Sequence, residues 1–337
     1  MRKGKDMKAL IIGGTGLIST AVTELAIKKG FDLYLLNRGN HPLPEGAKSL
    51  IGDINKDPEG VASLLKDQRF DVVATFINFN TDQVQRDFNL FNGKVGQYIF
   101  ISSCAAYAHP SPSYIITESS PLANEYWQYG RNKAACEALL RDLYRDAHFP
   151  GTIVRPSLTY NDHHCYFITD SWGKPYTLID RILKGKPVVV PGDGNGLFPM
   201  THNTDFAKGF VGLMGNTAAI GEAFHITTDE ALTWNQALTV WENVLGRKIE
   251  SIHIPTDFIT DIVPEWIGDL KGDKAQTVVY DNSKIKRFVP GFHAEVTYQE
   301  GMSRAINWLL EHPEAQIVDE HHEEMMDLVV EKYLKKG

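Results

Sequence analysis

Two polar side chains near the middle of the chain have the types and the spacing of an acid/base pair. Tyr129 and Lys133 stand four residues apart in a helical pattern, so their side chains share one helix face. A tyrosine has a pKa of about 10 and is a poor base, but a neighbouring ammonium favours the phenolate and lowers that pKa. Most such pairs are exposed helix pairs, so the spacing is informative only together with further residues.

A hydroxyl group at the end of a predicted strand is one such residue. Ser103 follows an apolar run that ends at Ser102, at the carboxyl end of the strand, where open α/β sheets bind their ligands. A hydroxyl there can hold a substrate oxygen that gains or loses a proton. Capping of a helix is the common alternative role.

A glycine-rich turn directly follows the first predicted strand and leads at once into a helical pattern. In this context Gly13 permits a tight turn, Gly16 lets a pyrophosphate approach the backbone, and the helix N-terminus offers free N–H groups. Ser19 stands where a third glycine is typical. The turn predicts a dinucleotide site that includes Gly13, Thr15, Gly16, Leu17 and Ile18.

The end of the second predicted strand bears on the choice of dinucleotide. It reads Asn37-Arg38 and lacks the carboxylate that would bond the ribose 2′-hydroxyl of NAD, whereas Arg38 can pair with the 2′-phosphate of NADP. We therefore expect NAD(P), with NADP favoured over NAD; an exposed loop arginine is the alternative. Further expected cofactor contacts are Asn37, Asp53, Ile54, Asn78 and Pro156, with a helix cap as the alternative role of Asp53.

A parallel sheet covered by helices would bring these residues together. Short apolar runs alternate with helical patterns in the N-terminal half, which is typical of this α/β architecture. We expect a Rossmann-type doubly wound parallel sheet over residues 7–158 and a smaller C-terminal substrate-binding lobe over residues 159–337, from which about residues 186–228 return to the first domain. The predicted strands are Ala9–Ile12, Asp32–Leu36, Lys48–Ile51, Val72–Phe76, Tyr98–Ser102 and Gly151–Val154, and later helices are predicted at Thr233–Leu245, Tyr298–Glu311 and within a solvated tail from Glu311 to Lys336.

The composition is that of an ordinary globular protein with 337 residues, 43% of them hydrophobic. A net charge of -8 leaves no basic excess for a phosphate backbone, so we expect no nucleic-acid partner. Three widely spaced cysteines suggest no disulfide framework. The basic stretch Met1–Lys8 has no signal-peptide pattern, and no segment approaches the roughly 18 apolar residues of a membrane helix. We expect a cytoplasmic protein without a membrane partner.

In combination and in this order, the glycine turn, Ser103, Tyr129 and Lys133 resemble the extended, or atypical-extended, short-chain dehydrogenase/reductase superfamily and its NAD-dependent epimerase/dehydratase family. The resemblance continues through Arg155-Pro156 and a Gly-Asp-Gly turn to His202–Asp205. It implies that Tyr129 donates and accepts the proton, that Lys133 also bonds the nicotinamide ribose, and that Ser103 positions the reacting hydroxyl or carbonyl. Counted back from Tyr107, Ser103 matches the family's catalytic position better than Ser102. A homodimer is common in the family.

Two departures from this family narrow the function. Related dehydratases carry an Asp-Glu pair after the catalytic hydroxyl, where this chain has Cys104-Ala105, so dehydration is disfavoured. Related epimerases commonly grip the substrate diphosphate with an arginine where this chain has Phe198, which puts a nucleotide-sugar substrate in question. Arg181 or Arg287 could substitute for it.

The segment Tyr160–Trp172 is expected to form part of the substrate wall, because its hydroxyl, imidazole and aromatic groups suit a sugar-like ligand; a polar loop is the alternative. No metal site is predicted, because His163-His164-Cys165 are adjacent and project in different directions. His321-His322 is expected to be a solvated helix face. The predicted substrate contacts are Ser103, Cys104, Tyr160, His164 and Phe198.

The leading hypothesis is an NAD(P)-dependent oxidoreductase or epimerase acting on a secondary alcohol or ketone of a sugar-like small molecule. One alternative is an NADPH-dependent reductase of a small non-nucleotide carbonyl compound. Another is a non-catalytic Rossmann module, because Asn37-Arg38-Gly39 and Leu197–Asp205 resemble atypical branches that include plastid stem-loop-binding proteins. The intact Ser103, Tyr129 and Lys133 and the net charge argue against that alternative.

Overall fold

The computed structural model describes residues 7–335, so Met1–Asp6 of the basic N-terminal stretch and Lys336–Gly337 of the tail lie outside the described residues. Its strands are β1 Lys8–Ile12, β2 Asp32–Asn37, β3 Lys48–Ile51, β4 Phe70–Thr75, β5 Val95–Ile101, β6 Ile115–Ile116, β7 Gly151–Pro156, β8 Leu158–Tyr160, β9 Val188–Pro191, β10 Leu197–Phe198, β11 Met200–His202, β12 Ala223–Ile226, β13 Leu232–Thr233, β14 Ser251–Ile254 and β15 Val279–Tyr280. The six predicted strands are confirmed, with small shifts at their ends.

The helices are α1 Ser19–Lys28, α2 Pro58–Leu64, α3 Thr81–Phe91, α4 Gln128–Ala147, α5 Tyr176–Leu183, α6 Asn203–Leu213, α7 Trp234–Leu245, α8 Thr256–Ile262, α9 Ile267–Asp269, α10 Ser283–Phe288, α11 Tyr298–Glu311 and α12 Glu320–Leu334. Short 3-10 turns and a π-helical turn at Leu270–Lys274 join some of them. None of the helices in residues 7–335 combines the length and the apolar composition needed to cross a membrane.

A seven-stranded parallel sheet in the order β12-β7-β5-β4-β1-β2-β3 forms the centre of the first lobe. Leu10 and Ile12 of β1 contribute to a core with residues of α2, α3 and α4, whereas Ile11 of the same strand contributes to a core with residues of α1 and α6. Both faces of the central strands are therefore buried, as the predicted Rossmann-type α/β fold requires.

The chain returns to this sheet after it has entered the second lobe. Of the two later strand-like stretches, β12 joins the main sheet beside β7, whereas β9 pairs with β14 in a separate two-stranded sheet. Between them, α6 packs against α1 on one face of the main sheet.

The second lobe has its own hydrophobic core, which includes residues of α5, α7, α11 and α12. The predicted helices at Thr233–Leu245 and Tyr298–Glu311 are confirmed as α7 and α11. The expectation that the tail is simply solvated is wrong, because α12 buries Met326, Val329 and Val330 against this core.

Candidate active site

The glycine turn after β1 is held by a serine where a third glycine was expected. Gly13 has a φ of +83°, and a Cβ atom there would lie 2.5 Å from Ile77 Cγ2, so only glycine fits. The Ser19 Oγ atom donates a hydrogen bond to Gly13 O at 2.6 Å and accepts one from Gly16 N at 2.8 Å. The serine therefore closes the turn tightly and places the start of α1 beside it.

This turn opens onto a cavity of about 780 Å³. Gly16 is exposed at its rim, and a Cβ atom there would have only Ser19 Oγ as a close neighbour, at 3.4 Å. The first amide groups of a helix have no partners within the helix and favour an anion. Gly13, Gly16, Leu17 and Ile18 line the cavity, so the turn, the free helix end and the open space fit the pyrophosphate of a dinucleotide. Thr15, which is half-buried, stays a predicted contact within the turn.

Ser103, Tyr129 and Lys133 line the same cavity. Tyr129 is the second residue of α4, and the helix start lies close to the chain that follows β5 because Gly130 has no side chain. A Cβ atom at Gly130 would lie 2.2 Å from Ala105 O. This close approach sets the tyrosine ring beside the serine, and the predicted catalytic residues are brought together.

The pKa of Tyr129 does not follow the expectation from the sequence. Burial raises the pKa of its hydroxyl above the ordinary value, and a hydrogen bond with the Ser103 side chain is what opposes this rise. Lys133 Nζ lies 5.7 Å from the centroid of the tyrosine ring. The expected lowering of this pKa by the lysine is therefore corrected: in the protein alone Tyr129 is a protonated donor at neutral pH.

Lys133 is buried and bonded to the backbone. Its Nζ donates to Asn78 O at 2.6 Å and to Ile101 O at 2.8 Å, and burial lowers its pKa to about 8. An ammonium has three N–H donors, so one remains for a ligand in the cavity.

The region around Ser103 combines a cap with buried neighbours. Ser103 Oγ accepts a hydrogen bond from Ala105 N at 3.1 Å, so the capping role considered as an alternative coexists with its place in the cavity. Cys104 also lines the cavity, but its thiol is buried and donates to Arg155 O at 3.4 Å. Burial raises the pKa of this thiol well above its ordinary value, so it is not a nucleophile.

The predicted adenosine contacts follow β2, β3 and β4, whose carboxyl ends share the sheet edge of the glycine turn. Arg38 is exposed and has no hydrogen bond or ion pair with any residue in 7–335. Asp53 accepts hydrogen bonds from Asn55 N and Lys56 N in a turn, and the helix cap considered as its alternative role is made by Asp57 at the start of α2 instead. Asn37 is half-buried, and its Oδ1 accepts a hydrogen bond from Gly39 N. Ile54 is buried, and Pro156 lines the cavity.

The side chain of Asn78 is already bonded within the protein. It donates to Asp87 and to Tyr98 and accepts from Arg86. Its carbonyl oxygen accepts the hydrogen bond from Lys133. Asn78 is not among the lining residues of the cavity, so the predicted cofactor contact there stays a prediction.

Three predicted substrate contacts do not line the cavity. Tyr160 is fully buried, with its ring against His202 and its hydroxyl 3.4 Å from Thr297 O. Phe198 is buried and stacks on Trp234. His164 lies behind Trp172, with a ring separation of 5.3 Å. Tyr160 on β8 and Phe198 on β10 both pack in the second-lobe core. The prediction that they contact the substrate directly is therefore corrected.

The second lobe contributes a wall to the cavity, and the predicted segment Tyr160–Trp172 supplies Tyr166, Asp170 and Trp172 to it. Sequence reasoning missed the members outside that segment, which are Trp266, Asp269, Asp273, Lys274 and His322, with Trp127 nearby on the first lobe. Trp266, Asp269, Asp273 and Lys274 stand within nine residues of one another in the sequence, and this density of charge beside a tryptophan was the available signal.

The expectation of a solvated face at His321-His322 is confirmed for one residue only. His321 is exposed and lies 3.0 Å from Glu265. His322 lines the cavity, packs against Trp266 at a ring separation of 4.9 Å and donates from Nε2 to Thr169 O at 3.0 Å. Among residues 7–335, no group of three or more His, Cys, Asp or Glu could hold a metal ion.

The side chain of Asn124 connects this wall to the turn that contains Ala105. Asn124 Nδ2 donates to Ala105 O and to Gly272 O, each at 2.7 Å, and its Oδ1 accepts from Trp127 N at 2.9 Å. A Cβ atom at Gly272 would lie 2.9 Å from Trp127 Cβ. The π-helical turn that carries Asp273 and Lys274 is therefore held directly against the residues that precede Tyr129.

The model of the NAD dependent epimerase/dehydratase family matches residues 9–227, about two thirds of the chain. The matched range includes the glycine turn, Ser103, Tyr129 and Lys133. The chain belongs to this family. The epimerase/dehydratase match ends before residue 266, so Trp266, Asp269, Asp273 and Lys274 lie outside the part that the family model describes.

The individual proteins to which this chain is similar differ in the activities that their names give. The chain is 25% identical over 336 residues to N-acetyl-alpha-D-glucosaminyl-diphospho-ditrans,octacis-undecaprenol 4-epimerase of Escherichia coli O157:H7, covering 90% of this chain and 95% of that protein. It is 22% identical to 2'-dehydrokanamycin reductase of Streptomyces kanamyceticus, covering 85% and 80% of the two chains. It is 26% identical over 247 residues to the chloroplast stem-loop binding protein of 41 kDa b of Arabidopsis thaliana, covering 68% of this chain and 61% of that protein.

Solved structures of family members confirm the fold. UDP-glucuronic acid 4-epimerase from Bacillus cereus, in complex with UDP-glucuronic acid and NAD, superposes with a TM-score of 0.69 at 19% identity. The superposition covers 90% of this chain and 99% of the other. The similarity therefore extends over both lobes.

Proposed function

We propose that this member of the epimerase/dehydratase family binds NAD(P) along the glycine turn and transfers hydride at a secondary alcohol or ketone of a sugar-like substrate. The observation that carries the proposal is that one cavity joins the glycine turn, the residues Ser103, Tyr129 and Lys133, and an aromatic and polar wall from the second lobe. A large cleft with a few convergent polar groups is the usual form of a small-molecule site.

The protonation state of Tyr129 supports its role as the proton donor. Because burial raises its pKa, the hydroxyl carries its proton at neutral pH and can donate it to a substrate carbonyl oxygen as that oxygen gains charge. The Ser103 hydroxyl interacts with the same side chain and is placed to hold the same oxygen. In the opposite direction the tyrosine accepts the proton of the alcohol.

The nicotinamide ring, when bound, supplies or accepts the hydride. Lys133 supports the reverse direction, because it lines the same cavity and an ammonium favours the phenolate form of a neighbouring tyrosine. Its two bonds to backbone carbonyls fix the position of that charge. Lys133 therefore orients the ligand and stabilises the phenolate, while Tyr129 moves the proton.

The choice between NAD and NADP depends on Arg38. The end of β2 has no carboxylate to bond a ribose 2′-hydroxyl, and the exposed guanidinium of Arg38 is available for a 2′-phosphate. We infer a preference for NADP. The solved relative from Bacillus cereus binds NAD, so the preference would be a property of this branch.

A reductase of a small carbonyl compound that carries no nucleotide is the second candidate. It is favoured because no arginine occurs among the cavity-lining residues within 7–335. The similarity to 2'-dehydrokanamycin reductase supports the same candidate, since the name describes reduction of a substrate without a nucleotide. RNA binding, which the name of the chloroplast relative suggests, is less well supported, because the net charge is -8 and Ser103, Tyr129 and Lys133 are all present.

The first experiment is mass spectrometry of the nucleotide released from freshly purified, denatured protein. Stoichiometric bound NAD supports an epimerase that regenerates its cofactor in place, and an empty protein that binds NADPH reversibly supports a reductase. Binding of neither dinucleotide contradicts the proposed function.

A second experiment tests the mechanism. Substrates are screened by the absorbance of reduced nicotinamide, and with the best substrate Tyr129→Phe is expected to lower turnover by about 10² or more, because a positioned acid/base is lost. Tyr126→Phe is the matched control, since Tyr126 is exposed and absent from the cavity lining. Full turnover in Tyr129→Phe would remove this residue from the mechanism.

A further inference from the structure

The second-lobe wall of the cavity is dominated by carboxylates. Asp170, Asp269 and Asp273 surround Lys274 and are called here the acidic wall. Lys274 Nζ lies 2.8 Å from Asp269 and 3.6 Å from Asp170, and it is the one cation among them. If all are ionised, the wall carries two more negative than positive charges.

Asp170 is the least satisfied of these side chains. Its side chain is fully buried, and neither carboxylate oxygen has a hydrogen-bond partner among residues 7–335. The separation from Lys274 is beyond hydrogen-bond distance. A buried carboxylate without hydrogen bonds is expensive, and a hydrogen-bond donor supplied by a ligand would offset that cost.

Among the described residues that line the cavity, each cation already has partners in the protein, and none is an arginine that could grip a diphosphate. Lys133 bonds two backbone carbonyls and Lys274 pairs with Asp269. Arg181, considered from the sequence as a substitute, is buried in ion pairs with Glu323 and Asp327. Arg287, the other substitute, is also absent from the described lining of this cavity.

Aromatic rings complete the wall. Tyr166, Trp172 and Trp266 line the cavity, and Trp172 is 56% exposed, so its ring is accessible to a ligand. Lys274 Nζ already lies 4.6 Å from the centre of the Tyr166 ring. Flat rings beside carboxylates suit both the apolar face of a sugar ring and a positive charge.

We propose that the substrate is a polyhydroxylated ring that carries a protonated amine and no nucleoside diphosphate, and that Asp170 and Asp273 hold its ammonium group. The assignment rests on the proposed function, since it names the substrate class of the same cavity. An ammonium donates three hydrogen bonds and supplies the charge that the acidic wall lacks. A diphosphate would add negative charge to a wall that already has an excess.

Asp273 connects this subsite to the reaction. It lines the same cavity as Tyr129 and Lys274 and interacts electrostatically with both. An ammonium held there fixes which ring position meets Tyr129. The acidic wall therefore determines both the substrate class and the site of hydride transfer on the ring.

The test is calorimetric titration of the full chain, with and without NADPH, using glucosamine, glucose, N-acetylglucosamine and UDP-glucose as probes. Glucosamine is expected to bind at least about tenfold more tightly than glucose, as one charge-assisted contact predicts. N-acetylation removes the charge and should remove this advantage. Equal binding of glucosamine and glucose, tighter binding of UDP-glucose, or no glucosamine binding up to its solubility limit would overturn the assignment.

Matched variants locate the effect. Asp170→Asn and Asp273→Asn keep the size of each side chain and should abolish the preference for glucosamine over glucose, whereas Asp67→Asn, at an exposed site outside the cavity, should keep it. A preference that survives in both cavity variants overturns the assignment. NADPH binding is measured separately by its fluorescence, so a failure of the dinucleotide site is distinguished from a failure of the acidic wall.

Discussion

Two of the regions in which this protein buries charged side chains differ in how those charges are satisfied. Beside Ser102, the carboxylate of Glu137 on α4 accepts two hydrogen bonds from Arg155 on β7, at 2.8 and 2.7 Å, and one from Ser102 Oγ at 2.6 Å. Arg155 also donates to the Tyr107 hydroxyl, which lies 3.1 Å from Nδ1 of His225. In the acidic wall, by contrast, Asp170 has no hydrogen bond within the described chain.

The difference between the two regions separates a structural role from a binding role. The Glu137–Arg155 pair satisfies both carboxylate oxygens, and it connects the catalytic helix to the sheet. The acidic wall leaves a buried oxygen pair without a donor and lines a cavity. Removing a charge should therefore destabilise the first region and stabilise the second.

The largest effect is expected at Glu137. Glu137→Ala leaves Arg155 buried without its partner, which should lower the free energy of unfolding by roughly 3–5 kcal/mol. Arg141→Ala is the matched control, because Arg141 is a half-exposed partner of the same carboxylate and should cost no more than about 1 kcal/mol. Urea denaturation measures both, and a similar small loss in the two variants would contradict the structural role of the buried pair.

An intermediate effect of opposite sign is expected at Asp170. Burial raises the pKa of this carboxyl to about 7, with Lys274 opposing and Asp269 adding to the rise, whereas in the unfolded chain the pKa is about 3.9. Ionisation is therefore more costly in the folded state, and wild-type stability falls as the pH rises from about 4 to about 7. Asp170→Asn should thus gain roughly 1–4 kcal/mol at pH 8, and this gain should disappear near pH 4.

The pH dependence of that gain is the decisive measurement for Asp170. Unfolding of the wild type and of Asp170→Asn is followed at several pH values between these limits. A loss of stability in the variant at pH 8 would mean that the carboxylate has a structural partner, and the contrast with Glu137 would then fail.

The smallest effect on stability is expected at Arg38, an unpaired charge that is exposed rather than buried. Arg38→Ala should change the free energy of unfolding by no more than about 0.5 kcal/mol. It should weaken NADP binding about tenfold more than NAD binding, because a charge-assisted contact to the 2′-phosphate is lost. Lys66→Ala, another exposed cation, is the control, and equal losses for the two dinucleotides would show that Arg38 does not read the phosphate.

The fold and the meeting of Ser103, Tyr129 and Lys133 in one cavity could be predicted because they depend on local patterns. The run Ala9–Ile12 and the glycines that follow determine a strand and a turn through near neighbours, and Tyr129 and Lys133 share a helix face by spacing alone. The pKa of Tyr129 could not be predicted, because it depends on burial under distant segments and on Ser103.

The cavity wall of the second lobe could be predicted only in part: the segment Tyr160–Trp172 does contribute Tyr166, Asp170 and Trp172, but the other members could not be predicted, for a related reason. Tyr160 looked available for a ligand, but its neighbours in space are His202 and Tyr298, which are remote in the sequence. His322 looked solvated, but α12 brings it against Trp266. Which side chains face a cavity between two lobes is decided by long-range packing, which neither periodicity nor composition reports.

The bridge made by Asn124 has a consequence for changing the specificity of this protein. Because one amide joins Ala105 to Gly272, the turn that carries Asp273 and the loop that carries Ser103 form a single mechanical unit. Replacing the whole Trp266–Lys274 loop with that of another enzyme would disturb catalysis unless the asparagine and both glycine contacts to Trp127, at Gly268 and Gly272, were kept. New specificities are therefore best introduced by exchanging single side chains on an unchanged loop backbone.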